Sequence, residues 1–154
     1  MDFFTANETL NAAEVLDVAT MELLARVEAS GEDFYLAIAD RVGNDEAAEL
    51  LRRNGREEMG HARRIQRAIA IKTGTDLDPD QVIERFSISG LPDTIDPALF
   101  PAIAEGEMKG DAGYQKWADA EEDPEVQRLL RLNGREETKH AERLRQVVEI
   151  LGAG

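Results

Sequence analysis

The chain is written twice. Laid on itself without gaps at an offset of 79 residues, the segment from Glu28 to Lys72 matches the segment from Glu107 to Leu151 at 18 of 45 positions. The matches include Glu28/Glu107, Gly31/Gly110, Tyr35/Tyr114, Glu58/Glu137 and His61/His140. The chain is a doubled unit. We expect one domain over residues 1–154, since the length allows a single well-packed core.

Each copy reads as a pair of helices. Asn11 is placed to cap the first, with Glu14 as its capping-box partner, and Leu16, Leu23, Leu24, Val27, Phe34 and Ile38 recur at helical spacing. This helix is expected to run to about Arg41. After the turn at "VGND", Asp45 is the expected cap of a second helix whose inner stripe is Ala47, Leu51, Asn54, Glu58, His61, Ile65 and Ala68. Residues 73–97 hold three of the five prolines and no long periodicity, so they form a crossover, with a short helix expected at Asp78-Pro79. The third helix is expected from near Asp96-Pro97, carrying Ile103, Glu107, Gly110, Tyr114 and Trp117 on one stripe. The fourth is expected from about Asp123-Pro124, with Val126, Leu130, Asn133, Glu137, His140, Leu144 and Val147 facing in. Two helical hairpins joined by a long crossover make an all-α four-helix bundle, with no sheet.

The charged residues on the inner stripes carry the chemistry. Residues three apart on a helix are separated by about 60° on the wheel, so Glu58 with His61, and Glu137 with His140, reach one point from adjacent turns. Glu28 and Glu107 lie on the apolar stripes of the first and third helices. Four carboxylates and two imidazoles then meet inside the bundle, the donor set of a carboxylate-bridged dinuclear metal site. Two divalent cations would neutralise carboxylates that could not otherwise be buried together as anions. Oxygen and nitrogen donors suit iron(II), with manganese and zinc as rivals. Tyr35 and Tyr114, the only tyrosines, each follow a candidate ligand by seven residues, placing a phenol to donate to a metal-bound carboxylate of a neighbouring helix.

Composition removes other chemistries. With no cysteine there is no disulfide, zinc thiolate or cysteine-held iron-sulfur centre. A net charge of -14 opposes nucleic acid and anionic membranes. No apolar run approaches the ~18 residues of a membrane span, and "MDFFTANETL" lacks a signal-peptide pattern, so a soluble cytoplasmic protein is expected.

The segments "VEASGEDFY", "REEMGH", "AEGEMKGDAGY" and "REETKH" resemble the four motif segments of the rubrerythrin-like branch of the ferritin-like diiron-carboxylate superfamily, over about Asn11 to Leu151. The resemblance implies a ferritin-like bundle in which Glu58 and Glu137 bridge two irons. Glu28 and His61 would hold one of them, and Glu107 and His140 the other. It further implies reaction of iron(II) with dioxygen or hydrogen peroxide, as a ferroxidase or rubrerythrin-like peroxidase. The alternatives are an iron-binding or storage protein and a metal-free helical scaffold. Rubrerythrins proper add a metal-binding glutamate where this chain has Gly110, and a cysteine-ligated rubredoxin domain. Without the latter, electrons come from an external donor or from the iron itself.

The remaining expectations are smaller. Glu32 and Asp111, one turn from Glu28 and Glu107, are candidates as extra ligands or as carboxylates that guide iron inward. Glu57 and Glu136 point about 100° away from their neighbouring ligands and read as solvated surface or interhelix salt bridges. Met59 stands where bacterioferritins place a haem-ligating methionine, but its repeat mate is Thr138, and packing rather than haem is expected. Arg52, Arg53, Arg56, Arg63, Arg64 and Arg67 form a basic face for acidic neighbours, and Trp117 reads as core or interface. The long crossover allows a hairpin to pair within or between chains, so a homodimer is expected.

Overall fold

A computed structural model describes residues 1–153, and these form five helices with no strand among them: α1 (Phe3–Asn11), α2 (Val18–Ala39), α3 (Asp45–Thr73), α4 (Leu99–Ala120) and α5 (Pro124–Ala153). The bundle is α2 to α5, as its inner stripes require. α2 pairs along α3, α4 along α5, and the two hairpins meet through α3 and α5. None of these helices is long and apolar enough to cross a membrane.

The N-terminus departs from expectation. Asn11 ends a helix instead of starting one. Asp2 caps α1 by accepting from Thr5 N at 2.9 Å, and Phe3, Ala6 and Leu10 are its buried stripe. The cap of α2 is Asp17, accepting from Thr20 N at 2.8 Å. Leu16 before that cap and Met21 in the first turn are buried in one cluster, the arrangement of a hydrophobic staple. At α3 the cap is Asn44, whose side chain accepts from Ala47 N, and Asp45 is the first helical residue. Gly74 closes α3 at φ 65°, a left-handed conformation that glycine adopts without a Cβ penalty.

The crossover contains no helix at Asp78-Pro79. Asp78 Oδ1 accepts from Asp80 N and Asp78 O from Gln81 N, so the side chain competes for the donors a helix would need, leaving one turn. The segment is fastened by Phe86, whose N donates to Ser30 Oγ at 2.8 Å and whose ring lies 4.0 Å below the Arg26 guanidinium.

Apolar burial falls into two clusters. One gathers Leu10, Met21, Leu24, Ile65, Trp117 and Leu130, and the other Tyr35, Ile38, Leu51, Phe100, Leu144 and Val147. Between them along the helices lies a layer of glutamates and histidines. α2 and α4 stand apart at this level, with a cavity between them.

Candidate metal centre

The long helices bring all six candidate ligands to one place. Glu28 on α2, Glu58 and His61 on α3, and Glu137 and His140 on α5 are buried; Glu107 on α4 is partly buried. Two groups can each converge donor atoms to within 4.8 Å of one another: Glu28, Glu58, His61 and Glu137, and Glu58, Glu107, Glu137 and His140. Glu58 and Glu137 belong to both groups. The imidazole rings stack between them with centroids 5.2 Å apart.

Both histidines turn Nδ1 toward the carboxylates. His61 Nδ1 lies 2.9 Å from Glu137 Oε1 and 3.3 Å from Glu28 Oε2, while His140 Nδ1 lies 2.8 Å from Glu58 Oε1 and 3.7 Å from Glu107 Oε2. Of these contacts the one between His61 Nδ1 and Glu28 Oε2 is aligned as a hydrogen bond, whereas Glu58 Oε1, Glu107 Oε2, Glu137 Oε1 and His140 Nδ1 are buried without an aligned partner. Buried polar atoms are ordinarily satisfied, so these four unpartnered atoms, all within the two ligand groups, make the layer a candidate cation site. The donor set, oxygen with one imidazole per group, fits iron(II), manganese(II) or zinc(II).

The far side of each ring is held by a device that the sequence reading passed over. His61 Nε2 lies 3.0 Å from Glu136 Oε1, and Arg64 Nη1 donates to that same oxygen at 2.6 Å and to Asn133 Oδ1 at 3.1 Å. Asn133 Nδ2 in turn donates to the His61 carbonyl at 3.2 Å. In the other half, His140 Nε2 meets Glu57 Oε1 at 3.2 Å, Arg143 Nη1 donates to Glu57 Oε1 and Asn54 Oδ1, and Asn54 Nδ2 donates to the His140 carbonyl. Glu57 and Glu136 are therefore interhelix bridges with a definite object. With a metal in place of the Nδ1 proton, the remaining imidazole proton would sit on Nε2, facing these glutamates. The signal was present in the repeat: Asn54/Asn133, Glu57/Glu136 and Arg64/Arg143 are all matched at the offset of 79.

The phenols act across the α2–α4 gap. Tyr35 Oη donates to Glu107 Oε1 at 2.5 Å and Tyr114 Oη to Glu28 Oε1 at 2.7 Å. Each bond occupies one oxygen and leaves the other facing the histidines. Burial, reinforced by the neighbouring glutamates, pushes both phenols well above their ordinary pKa, so they stay protonated donors.

Glycine makes room for the carboxylates. A Cβ at Gly31 would lie 2.8 Å from Glu58 Oε2, and one at Gly110 would lie 3.0 Å from Glu137 Oε2. The two matched glycines thus let a glutamate pass against the neighbouring helix.

Electrostatics divides the four central carboxyls. Burial and the charges of neighbouring glutamates push Glu58 and Glu137 well above the usual carboxylate range. Burial opposes ionisation of Glu28 too, but hydrogen bonds from His61, Glu58 and Tyr114 outweigh it and lower its pKa. Glu107 is lowered in the same way by Glu137, His140 and Tyr35. Burial disfavours charge on the histidines, yet the carboxylates around them raise His61 to about 10 and His140 to about 12.

The structure does not bring Glu32 or Asp111 into either ligand group. Glu32 is paired with Arg85 at 3.0 Å, and Asp111 accepts from Thr138 Oγ1 and Gln115 Nε2. The Met59 sulfur lies 3.9 Å from Arg85 Nη2. Trp117 is buried, its Nε1 donating to the Ala13 carbonyl. On the α3 basic face, Arg52 and Arg56 meet Glu49, Arg53 meets Glu57, Arg67 approaches Glu125, and Arg63 bonds Gln66 and the Gln81 carbonyl.

The family model described as Rubrerythrin matches residues 21–148, which span all six ligands and both clamps. No curated protein and no solved structure gives a significant match.

Proposed function

The chain belongs to the rubrerythrin family, and from that footing we propose that it is a diiron-carboxylate oxidoreductase. In this reading Glu58 and Glu137 bridge two metal ions, with Glu28 and His61 completing one position and Glu107 and His140 the other. An iron pair held there supplies oxidation of iron(II) by dioxygen or hydrogen peroxide. The observation that carries the reading is the set of unpartnered oxygen and nitrogen atoms turned inward from both halves.

The chain's own groups serve this chemistry in definable ways. Glu136 and Glu57 face Nε2 and hold the imidazole proton there once Nδ1 gives up its own to a metal. Tyr114 and Tyr35 keep their protons and fix the orientation of Glu28 and Glu107. The apolar clusters above and below close the layer along the bundle, leaving the cavity between α2 and α4 as its approach from the surface. Because the chain holds no cysteine, electrons for repeated turnover would come from an external donor or from iron(II) as substrate. We further propose that the protein works in the cytoplasm as a homodimer. Gly110 leaves no carboxylate to exchange with a histidine as the redox state changes, so peroxide should hold no large advantage over dioxygen.

Rapid mixing of the anaerobic iron-loaded protein with each oxidant tests the proposal. Comparable oxidation rates support an oxidase or ferroxidase. A peroxide rate orders of magnitude higher would restore a rubrerythrin-type peroxidase, and no oxidation by either would overturn the oxidoreductase reading.

A further inference from the structure

The gap between α2 and α4 is a cavity of about 630 Å³, a volume in the range that holds a small organic molecule. Of the chain's five phenylalanines, two tyrosines and one tryptophan, six line it: Phe3, Phe4, Phe34, Tyr35, Tyr114 and Trp117. Its inner end is formed by Glu28, Glu58, Glu107 and Glu137, and it reaches the surface beside Lys109 and Lys116. α1 contributes one wall, held by Phe3 stacking on Phe34 at 5.7 Å and by the Phe3 N bond to the Ser87 carbonyl.

Two glycines point to an occupant. Gly106 and Gly113 line the cavity from within α4, although glycine disfavours a helix. Unlike Gly31 and Gly110, they are not required by close packing, because a Cβ at either would meet nothing within 4 Å. Their effect is to keep the cavity wide. At the inner end, Glu58 Oε1, Glu107 Oε2 and Glu137 Oε1 are acceptors without a donor. The basic side chains that line the cavity, Lys109 and Lys116, are exposed at its mouth, where Glu8 also stands and where Lys116 pairs with Glu14 at 2.7 Å, and the charged groups of the inner end are all glutamates. Inside, an anion would face the glutamates with no counter-charge beside it, and a cation drawn to them would compete with the metal ions they are placed to hold.

We propose that this cavity binds an uncharged aromatic molecule with one hydroxyl group, a phenol, its ring between the aromatic walls and its hydroxyl directed at the glutamate end. The proposal deepens the oxidoreductase reading by naming the class of organic molecule placed beside the metal pair. The binding itself needs only the chain.

The test is calorimetry with para-propylphenol, together with the fluorescence of Trp117, the sole tryptophan and a wall of the site. The full chain is used as purified and again after chelation, with metal content measured separately. The expected result is saturable binding of one phenol per chain in both preparations, with para-propylbenzoate and para-propylbenzylamine at least tenfold weaker. Gly106→Leu and Gly113→Leu should each weaken binding at least tenfold with unchanged circular dichroism, while Gly60→Leu, outside the cavity, should not. Absence of saturable binding would overturn the proposal, as would equal binding of the charged analogues or unchanged binding in both α4 variants. A Trp117 signal that follows protein concentration and ignores phenol would overturn it by assigning the cavity to a second copy. Metal binding without phenol binding counts against the cavity alone, and phenol binding without metal counts against the metal reading alone.

Discussion

The His61 half and the His140 half of the centre are nearly superimposable in their contacts and different in their surroundings. Each has a histidine held at Nε2 by a glutamate of the opposite helix, an arginine bridging that glutamate to an asparagine, and a tyrosine donating to the outer carboxylate. Outside this shell the halves part. The α2 side is covered by α1 and the crossover through Phe86, whereas the α4 side carries Gly106 and Gly113 along the cavity. Arg143 is buried with its side chain 10 % exposed, and Arg64 is at 31 %. Positions that share one object have stayed alike in the two copies, and positions that meet different neighbours have diverged.

The largest way to break the equivalence is to remove what both halves share. Glu58→Ala with Glu137→Ala is expected to abolish binding of both metal ions, whereas His61→Ala or His140→Ala alone should lose one. Metal analysis after gel filtration distinguishes these, and two ions retained by the double variant would contradict the ligand assignment.

Acid acts on both halves together. His61 and His140, raised to about 10 and about 12, hold protons at neutral pH that a metal must displace, and the upward shift of Glu58 and Glu137 adds to the competition as pH falls. Loading should therefore release protons, and affinity should rise with pH and fall in acid, by up to about tenfold per pH unit for each proton displaced. Titration in weak buffers of different ionisation enthalpy measures this directly. Loading without proton release would place the metals elsewhere.

Removing one clamp should separate the halves. Arg143→Leu strips the partner from Glu57, and Arg64→Leu does the same to Glu136. Each is expected to weaken metal binding at its own histidine by roughly 10–100-fold. The buried Arg143 should matter more than the better solvated Arg64, because water replaces less of what it supplies. Equal and negligible effects would show that the glutamates orient the rings without the arginines.

The smallest effect concerns the matched glycines. Gly31→Ala places a methyl 2.8 Å from Glu58 Oε2 and Gly110→Ala one 3.0 Å from Glu137 Oε2. Overpacking of this kind costs about 1–3 kcal/mol, and the helix gain from replacing glycine returns up to about 1 kcal/mol. Thermal unfolding should show a modest loss, larger for Gly31→Ala than for Gly110→Ala.

Much of this was legible before the fold was known, for reasons the residues make plain. The stripe from Ala47 to Ala68 is buried throughout because a long helix between two neighbours enforces its period. α1 was not legible. Asn11 and Asp17 are both plausible caps, and only the burial of Phe3, Ala6 and Leu10 shows that the first ends a helix. The angle argument that set Glu57 and Glu136 aside was sound for ligation on their own helix, but a wheel says nothing about the histidine of the helix opposite. The cavity was hidden for a related reason: it is a property of the spacing between α2 and α4, and no single helix encodes it.

The central claim is that two half-sites share Glu58 and Glu137 to hold a metal pair. Anomalous diffraction at the iron edge, from crystals loaded anaerobically with iron(II), tests it most directly. The account predicts two peaks per chain, roughly 3.5–4 Å apart as in two-metal sites, one beside His61 Nδ1 and the other beside His140 Nδ1, with Glu58 and Glu137 spanning both. A single peak, or peaks beside Glu32 and Asp111 with the histidines unliganded, would contradict it.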